Sequence, residues 1–266
     1  MNPQITVHLQ TSNSAAQVLV AQVLHAYTGG FLASPENDGA RHGHPNDAPT
    51  PDGINSLQDL YCTMMTSSTG GIFDVPLEHC KAVIHFLQVK RPLLNELKTI
   101  VVSVSPDPAS QELMGEAINA LRAAGTNPTD MRILFTDAPE GLPVEEAYKA
   151  AFQHARETQI TISPEVKLTR TIQFEKLLRF KVPVAAVLNQ AIDLETELTS
   201  ARLHGAPEKF IHALAHKVIA QRELLHSGDA LKQIVGAMGF VLISPEEWRA
   251  VAPVPNRKRN KPNTVD

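Results

Sequence analysis

The sequence predicts an α/β protein of three layers, a mostly parallel sheet between two sets of helices, with a further helical layer at its C-terminal end. Three observations carry that expectation. Strand-like runs alternate with segments of helical period as far as about residue 190, the pattern of successive β-α-β units. The run Ile100, Val101, Val102, Ser103, Val104 is apolar at almost every position, as suits a strand covered on both faces. From Ile192 onward only helical periodicity remains.

Residues 5–9 alternate around Val7 as a short strand, and residues 14–27 then space Ala15, Val18, Leu19, Val23, Leu24 and Ala26 as a helix does. Residues 28–55 hold five glycines and four prolines and read as a long loop or a stretch containing only a short element. His42 and His44 lie there beside Asp47, but a polar loop with no third fixed ligand leaves them solvated. A helix over 56–65 and a break at Gly70 and Gly71 precede a strand over 72–75, which carries Asp74 near its carboxyl end, and a helix over 77–89. The strand over 99–105 turns through Pro106, Asp107 and Pro108 into a helix that Gly125 closes. A strand over 131–136 and a helix over 143–157 follow, and at least one more strand falls at 160–163 or 184–188. The helical end divides into 194–204, 208–225 and 229–238. His212 and His216 stand one turn apart within it, but no His-Glu-x-x-His pattern accompanies them and they read as surface histidines. Residues 1–190 thus form the α/β domain, 191–252 a helical extension packed on it, and 253–266 a disordered basic tail.

The 266 residues carry a net charge of −4, unevenly distributed. Arg257, Lys258, Arg259 and Lys261 face only Asp266 in the last eleven positions, leaving 20 basic against 27 acidic side chains in the rest. An acidic body repels a phosphate backbone, so any nucleic-acid contact is expected from those four tail residues and is weak. No apolar run approaches the roughly 18 residues of a membrane span, and a cytoplasmic protein is expected. Cys62 and Cys80, the only cysteines, lack disulfide or zinc spacing and read as reduced core thiols. Thr11, Ser12 and Ser14 cluster without a Gly-x-Ser-x-Gly elbow or an assignable base, so capping of the first helix is the better reading. Asp107, Asp137 and Glu140 follow strands as ordinary turn residues, and Lys167 and Arg170 as isolated solvated cations.

A P-loop ATPase sets Gly-Lys-Ser/Thr between its first strand and first helix: backbone N–H groups wrap the phosphates, the lysine neutralises them and the hydroxyl holds Mg²⁺. The segment Val7-His8-Leu9-Gln10-Thr11-Ser12-Asn13-Ser14-Ala15-Ala16-Gln17 is similar to the first strand and loop of the ParA/MinD-type ATPases, and among them the StbB-like plasmid-stability proteins. Ser14, Ala15 and Ala16 stand where that family has Gly-Lys-Thr. Thr69-Gly70-Gly71-Ile72-Phe73-Asp74-Val75 resembles the family's second signature, whose strand-end aspartate assists the metal ion. The stretch from Lys98 to about Thr158 resembles its strand, proline turn, helix and strand, with Thr136 and Asp137 in place of a base-contacting Asn. In all the resemblance covers roughly 155 residues.

This resemblance implies a P-loop NTPase type of fold with a degenerate nucleotide site at Thr11, Ser12, Asn13, Ser14, Ala15, Ala16 and Asp74. No catalytic residue, metal or cofactor is expected. The implied role is a pseudo-ATPase, a binding or scaffold protein of plasmid stability, partition or conjugative transfer, whose partners are other proteins such as a plasmid DNA-binding protein, or a second copy in a homodimer. The alternative is an enzyme with a divergent ligand site at the carboxyl edge of the sheet.

Overall fold

The computed structural model describes residues 5–34, 62, 70–91, 94 and 96–251. Strand β1 (Ile5–Gln10) leads into helix α1 (Ala15–Thr28), and β2 (Phe31–Ala33) follows. The chain resumes with β3 (Gly71–Val75), α2 (Cys80–Val89), β4 (Leu97–Val104), α3 (Pro108–Ala124) and β5 (Met131–Ala138). Then come α4 (Val144–Ala147), α5 (Lys149–Thr158), β6 (Lys167–Thr169), α6 (Ile172–Arg179) and α7 (Val184–Leu188). The last elements are α8 (Leu194–Leu203), α9 (Glu208–Ala237) and α10 (Pro245–Val251).

The six strands form one sheet in the order β2-β3-β1-β4-β5-β6, and every pair is parallel. Because successive side chains of a strand point to opposite faces, the apolar strands supply two cores. Val7, Leu9, Val75, Val102, Val104 and Phe135 meet α2, α3 and α5 on one face. Ile72, Val101, Leu134 and Leu168 meet α1, α6, α7 and α9 on the other. The result is a three-layer α/β/α sandwich of Rossmann-like form. Local chemistry fixes the helix starts: the Ser14 hydroxyl accepts from the Gln17 N–H of α1, and the Asp107 carboxylate accepts from the Ser110 N–H ahead of α3. Gly125, at φ 109°, ends α3 in the left-handed conformation that glycine tolerates best.

Several elements differ from the sequence expectation, each for a visible reason. Strand β2 is a short element within 28–55, as the sequence allowed, but with three residues it is too short for its alternation to locate it. Its pairing with β3 depends on Gly71, where a β-carbon would lie 2.7 Å from the Phe31 carbonyl oxygen. The sixth strand is Lys167–Thr169, whereas residues 184–188 form a helix started after Pro183, with Val184 and Val187 buried one turn apart. The helices expected over 208–225 and 229–238 are one helix of 30 residues. Gly228 lies inside it, where a β-carbon would make only an ordinary contact with Leu188 Cδ2 at 3.6 Å, and the Tyr27 hydroxyl donates to the Gly228 carbonyl at 2.7 Å. Helix 143–157 is interrupted at Tyr148, whose buried hydroxyl donates to the Thr136 carbonyl.

Helix α8 packs on the first half of α9 through a small core of Leu194, Leu198, Leu214 and Val218, while the second half of α9 inserts Leu224, Leu231 and Val235 under the sheet. Cys80 is buried, but Cys62 is exposed and is not a core thiol. The remainder of the expected helix over 56–65, His42, His44, Asp47 and the tail with Arg257, Lys258, Arg259 and Lys261 lie outside the described residues. Among the described residues no helix is long and apolar enough to cross a membrane.

Candidate functional site

In an open parallel sheet the ligand crevice lies beyond the carboxyl ends of the strands, where the chain reverses its direction of travel across the sheet. Here that place is between β1 and β4, because the chain moves from β1 toward β2 on one side and then crosses to β4 on the other. Helices α1 and α3 leave those two strands on opposite faces. The β1–α1 loop, with Thr11, Ser12, Asn13 and Ser14, therefore sits at the mouth of the crevice, with Ala15 and Ala16 opening the helix. Asp74 reaches the same edge from β3, in direct register with His8 of β1.

The crevice is filled by side chains of the chain itself. Gln17 has no exposed surface, and its Oε1 accepts from the Thr11 N–H at 2.8 Å and from the Ser12 N–H at 2.9 Å. Its Nε2 donates to Thr136 Oγ1 on β5 at 3.1 Å, and the Thr136 hydroxyl donates in turn to the Val104 carbonyl. Gln17 thus spans from the end of β1 to β5, across β4. Thr11 is buried; its hydroxyl donates to the Ser103 carbonyl at 2.6 Å and lies 2.6 Å from Ser110 Oγ, which accepts from the Ser105 N–H. These bonds close the loop onto β4 and α3. Of the other loop residues, Asn13 is exposed, Ser12 and Ala15 are half-buried, Ala16 is buried, and Ser14 caps α1. Thr11 therefore bridges strands rather than capping the helix.

A second cluster lies directly below, on the α1 face of the sheet. His8 Nδ1 is 2.7 Å from Asp74 Oδ1, and His8 Nε2 is 2.6 Å from Ser103 Oγ. A carboxylate only accepts, so in the neutral imidazole the proton sits on Nδ1 and Nε2 accepts from the Ser103 hydroxyl. Gln10 Nε2 donates a second bond to Asp74 Oδ1 at 2.9 Å. His8 and Ser103 have no exposed surface, while the Asp74 side chain keeps 14% of its own. Asp74, expected as a remnant metal aspartate, is in this structure the fixed partner of a buried histidine. Among the described residues no group of three or more His, Cys, Asp or Glu side chains is placed to hold a metal ion.

His8, Gln10, Gln17 and Ser103 were not singled out from the sequence. Their signal was present: His8 and Gln10 share one face of β1, and Ser103 is the polar residue in the otherwise apolar run 100–104 of β4. Other candidates stay apart. Asp107 is an N-cap, Asp137 adopts φ 59° at the end of β5, Lys167 opens β6, and Arg170 donates its N–H to the Ala138 carbonyl. His212 lies 3.6 Å from Glu208, and the His216 ring stacks on Phe180. No protein-family description and no curated protein matches the chain.

Proposed function

We propose that this chain is a pseudo-ATPase of the P-loop type, related to the ParA/MinD-type proteins, that acts as a binding or scaffold protein in plasmid stability, partition or conjugative transfer. One observation carries the reading: the loop N–H groups of Thr11 and Ser12, which a phosphate would need, are held by the chain's own Gln17 carboxamide. The absence of a lysine at Ala15 and of a hydroxyl at Ala16 supports the same conclusion, since both supports of phosphoryl transfer are missing. The juxtaposition of the β1–α1 loop with Asp74 on the neighbouring strand supports descent from a nucleotide-binding frame. On this reading the chain works in the cytoplasm through contacts with other proteins, among them a plasmid DNA-binding protein, or with a second copy of itself, and its basic tail adds a weak DNA contact.

The test is calorimetric titration of the full chain with ATP and Mg²⁺, with phosphate release measured in parallel. No binding at micromolar concentrations and no release above background are expected. Micromolar binding with turnover that disappears in Asp74→Ala would overturn the reading.

A second reading, an enzyme with a divergent site at the same sheet edge, is favoured by one observation, the His8, Asp74 and Ser103 cluster beneath the loop.

A further inference from the structure

We propose that Ser103 is a nucleophile for acyl transfer, activated by His8 and shielded by Gln17, with small esters or activated carbonyl compounds as its substrate class. The proposal rests on the second reading above and needs neither a nucleotide nor a partner protein. Its basis is the order of contacts: a serine hydroxyl 2.6 Å from one imidazole nitrogen, and a carboxylate 2.7 Å from the other. Nucleophile and base are recognised by such geometry rather than by sequence position, and the carboxylate holds the ring in the tautomer that accepts the serine proton. Asp74 is itself pinned by Gln10, so it acts as a positioning residue for His8.

The second half of the machinery is the pair of N–H groups of Thr11 and Ser12. They converge at 2.8 and 2.9 Å on one amide carbonyl oxygen, that of Gln17, which is the arrangement that stabilises the oxyanion of an acyl-transfer intermediate. Thr11 is tied to the same residue that carries the nucleophile, its hydroxyl donating to the Ser103 carbonyl at 2.6 Å. The Gln17 carboxamide holds both N–H groups and reaches Thr136 on β5, so a substrate carbonyl takes its place only when it swings away.

With Gln17 displaced, Ser103 Oγ attacks the carbonyl carbon while its proton passes to His8 Nε2, and the carbonyl electron pair moves onto the oxygen held by the two N–H groups. Collapse of that intermediate expels the leaving group, which takes the proton from His8. Water then repeats the sequence on the acyl-serine, releasing the acid and restoring the Ser103 hydroxyl. Asp74 stays a carboxylate throughout.

The experiment treats the folded full-length chain with a small fluorophosphonate, in which attack by Ser103 forms an O–P bond and expels fluoride. Intact-mass and peptide-mapping measurements read the adduct. One adduct is expected, on Ser103, forming faster in Gln17→Ala and not forming in Ser103→Ala. Asp74→Asn should slow it on the order of a hundredfold, the scale of a positioned general base. Circular dichroism at matched temperature shows that each variant is folded, and the wild-type map needs no variant at all. No adduct in either the wild type or folded Gln17→Ala overturns the proposal, as does an adduct confined to another serine. Either result leaves the ATP titration, and the pseudo-ATPase reading, unaffected.

Discussion

At Cys80, burial raises the thiol from 9.0 to about 12; the bond to the Gln10 carbonyl opposes that rise, and the nearby charges of Asp74 and Glu78 add to it. The folded chain therefore holds that proton more tightly than the unfolded chain does. Above pH 9 the unfolded thiol ionises first, so this residue's contribution to stability falls as pH climbs toward 12. Cys62, by contrast, is exposed. At pH 8 a thiol reagent should modify one cysteine promptly and the second only after denaturant is added, and Cys80→Ala should flatten the alkaline loss of stability. Equal reaction rates at both thiols in the folded protein would refute this. Residue-scale chemistry was partly legible: the Ser14 and Asp107 caps follow from local rules that need only a few neighbours. Gln17 and His8 were not legible, because their partners lie up to 119 and 95 positions away and only the sheet brings them together.

The strands and helices that alternate from β1 to α5 were readable because each has enough residues for its period to show. The exceptions are the short ones, β2 and β6 at three residues each, and α7, whose five residues Val-Ala-Ala-Val-Leu suit a buried strand as well as a helix. In α9 the expected break between 225 and 229 is absent, and the helix runs through Gly228, whose carbonyl accepts from the Tyr27 hydroxyl. Strand β4 is the clearest case of agreement, and it sets the strongest element-scale prediction. Val102 is fully buried at its centre, so Val102→Asp places an unpaired carboxylate between two layers and costs on the order of several kcal/mol. Thermal unfolding of the variant should shift down by many degrees or the chain should fail to fold; a folded variant with the wild-type midpoint would contradict the central position of β4.

For the molecule as a whole, charge is separated along the chain: four basic residues lie near the C-terminal end and the acidic excess lies before them. Deleting residues 256–266 should leave the fold and its unfolding midpoint unchanged and lower DNA affinity at low salt, measured by anisotropy against a labelled duplex. Identical binding by both forms at matched salt would remove the tail from DNA contact. The layered architecture was foreseeable from the alternation of elements, but the state of the crevice was not, since a polar loop reads alike whether it is open or satisfied from within. That difference has a thermodynamic meaning. Gln17 is a competitor that arrives with the chain, so its local concentration at the Thr11 and Ser12 amides is set by a short covalent path and does not fall on dilution. Any anion or carbonyl that enters must displace an acceptor that is always present, and its apparent affinity is reduced by the fraction of time the carboxamide stays in place.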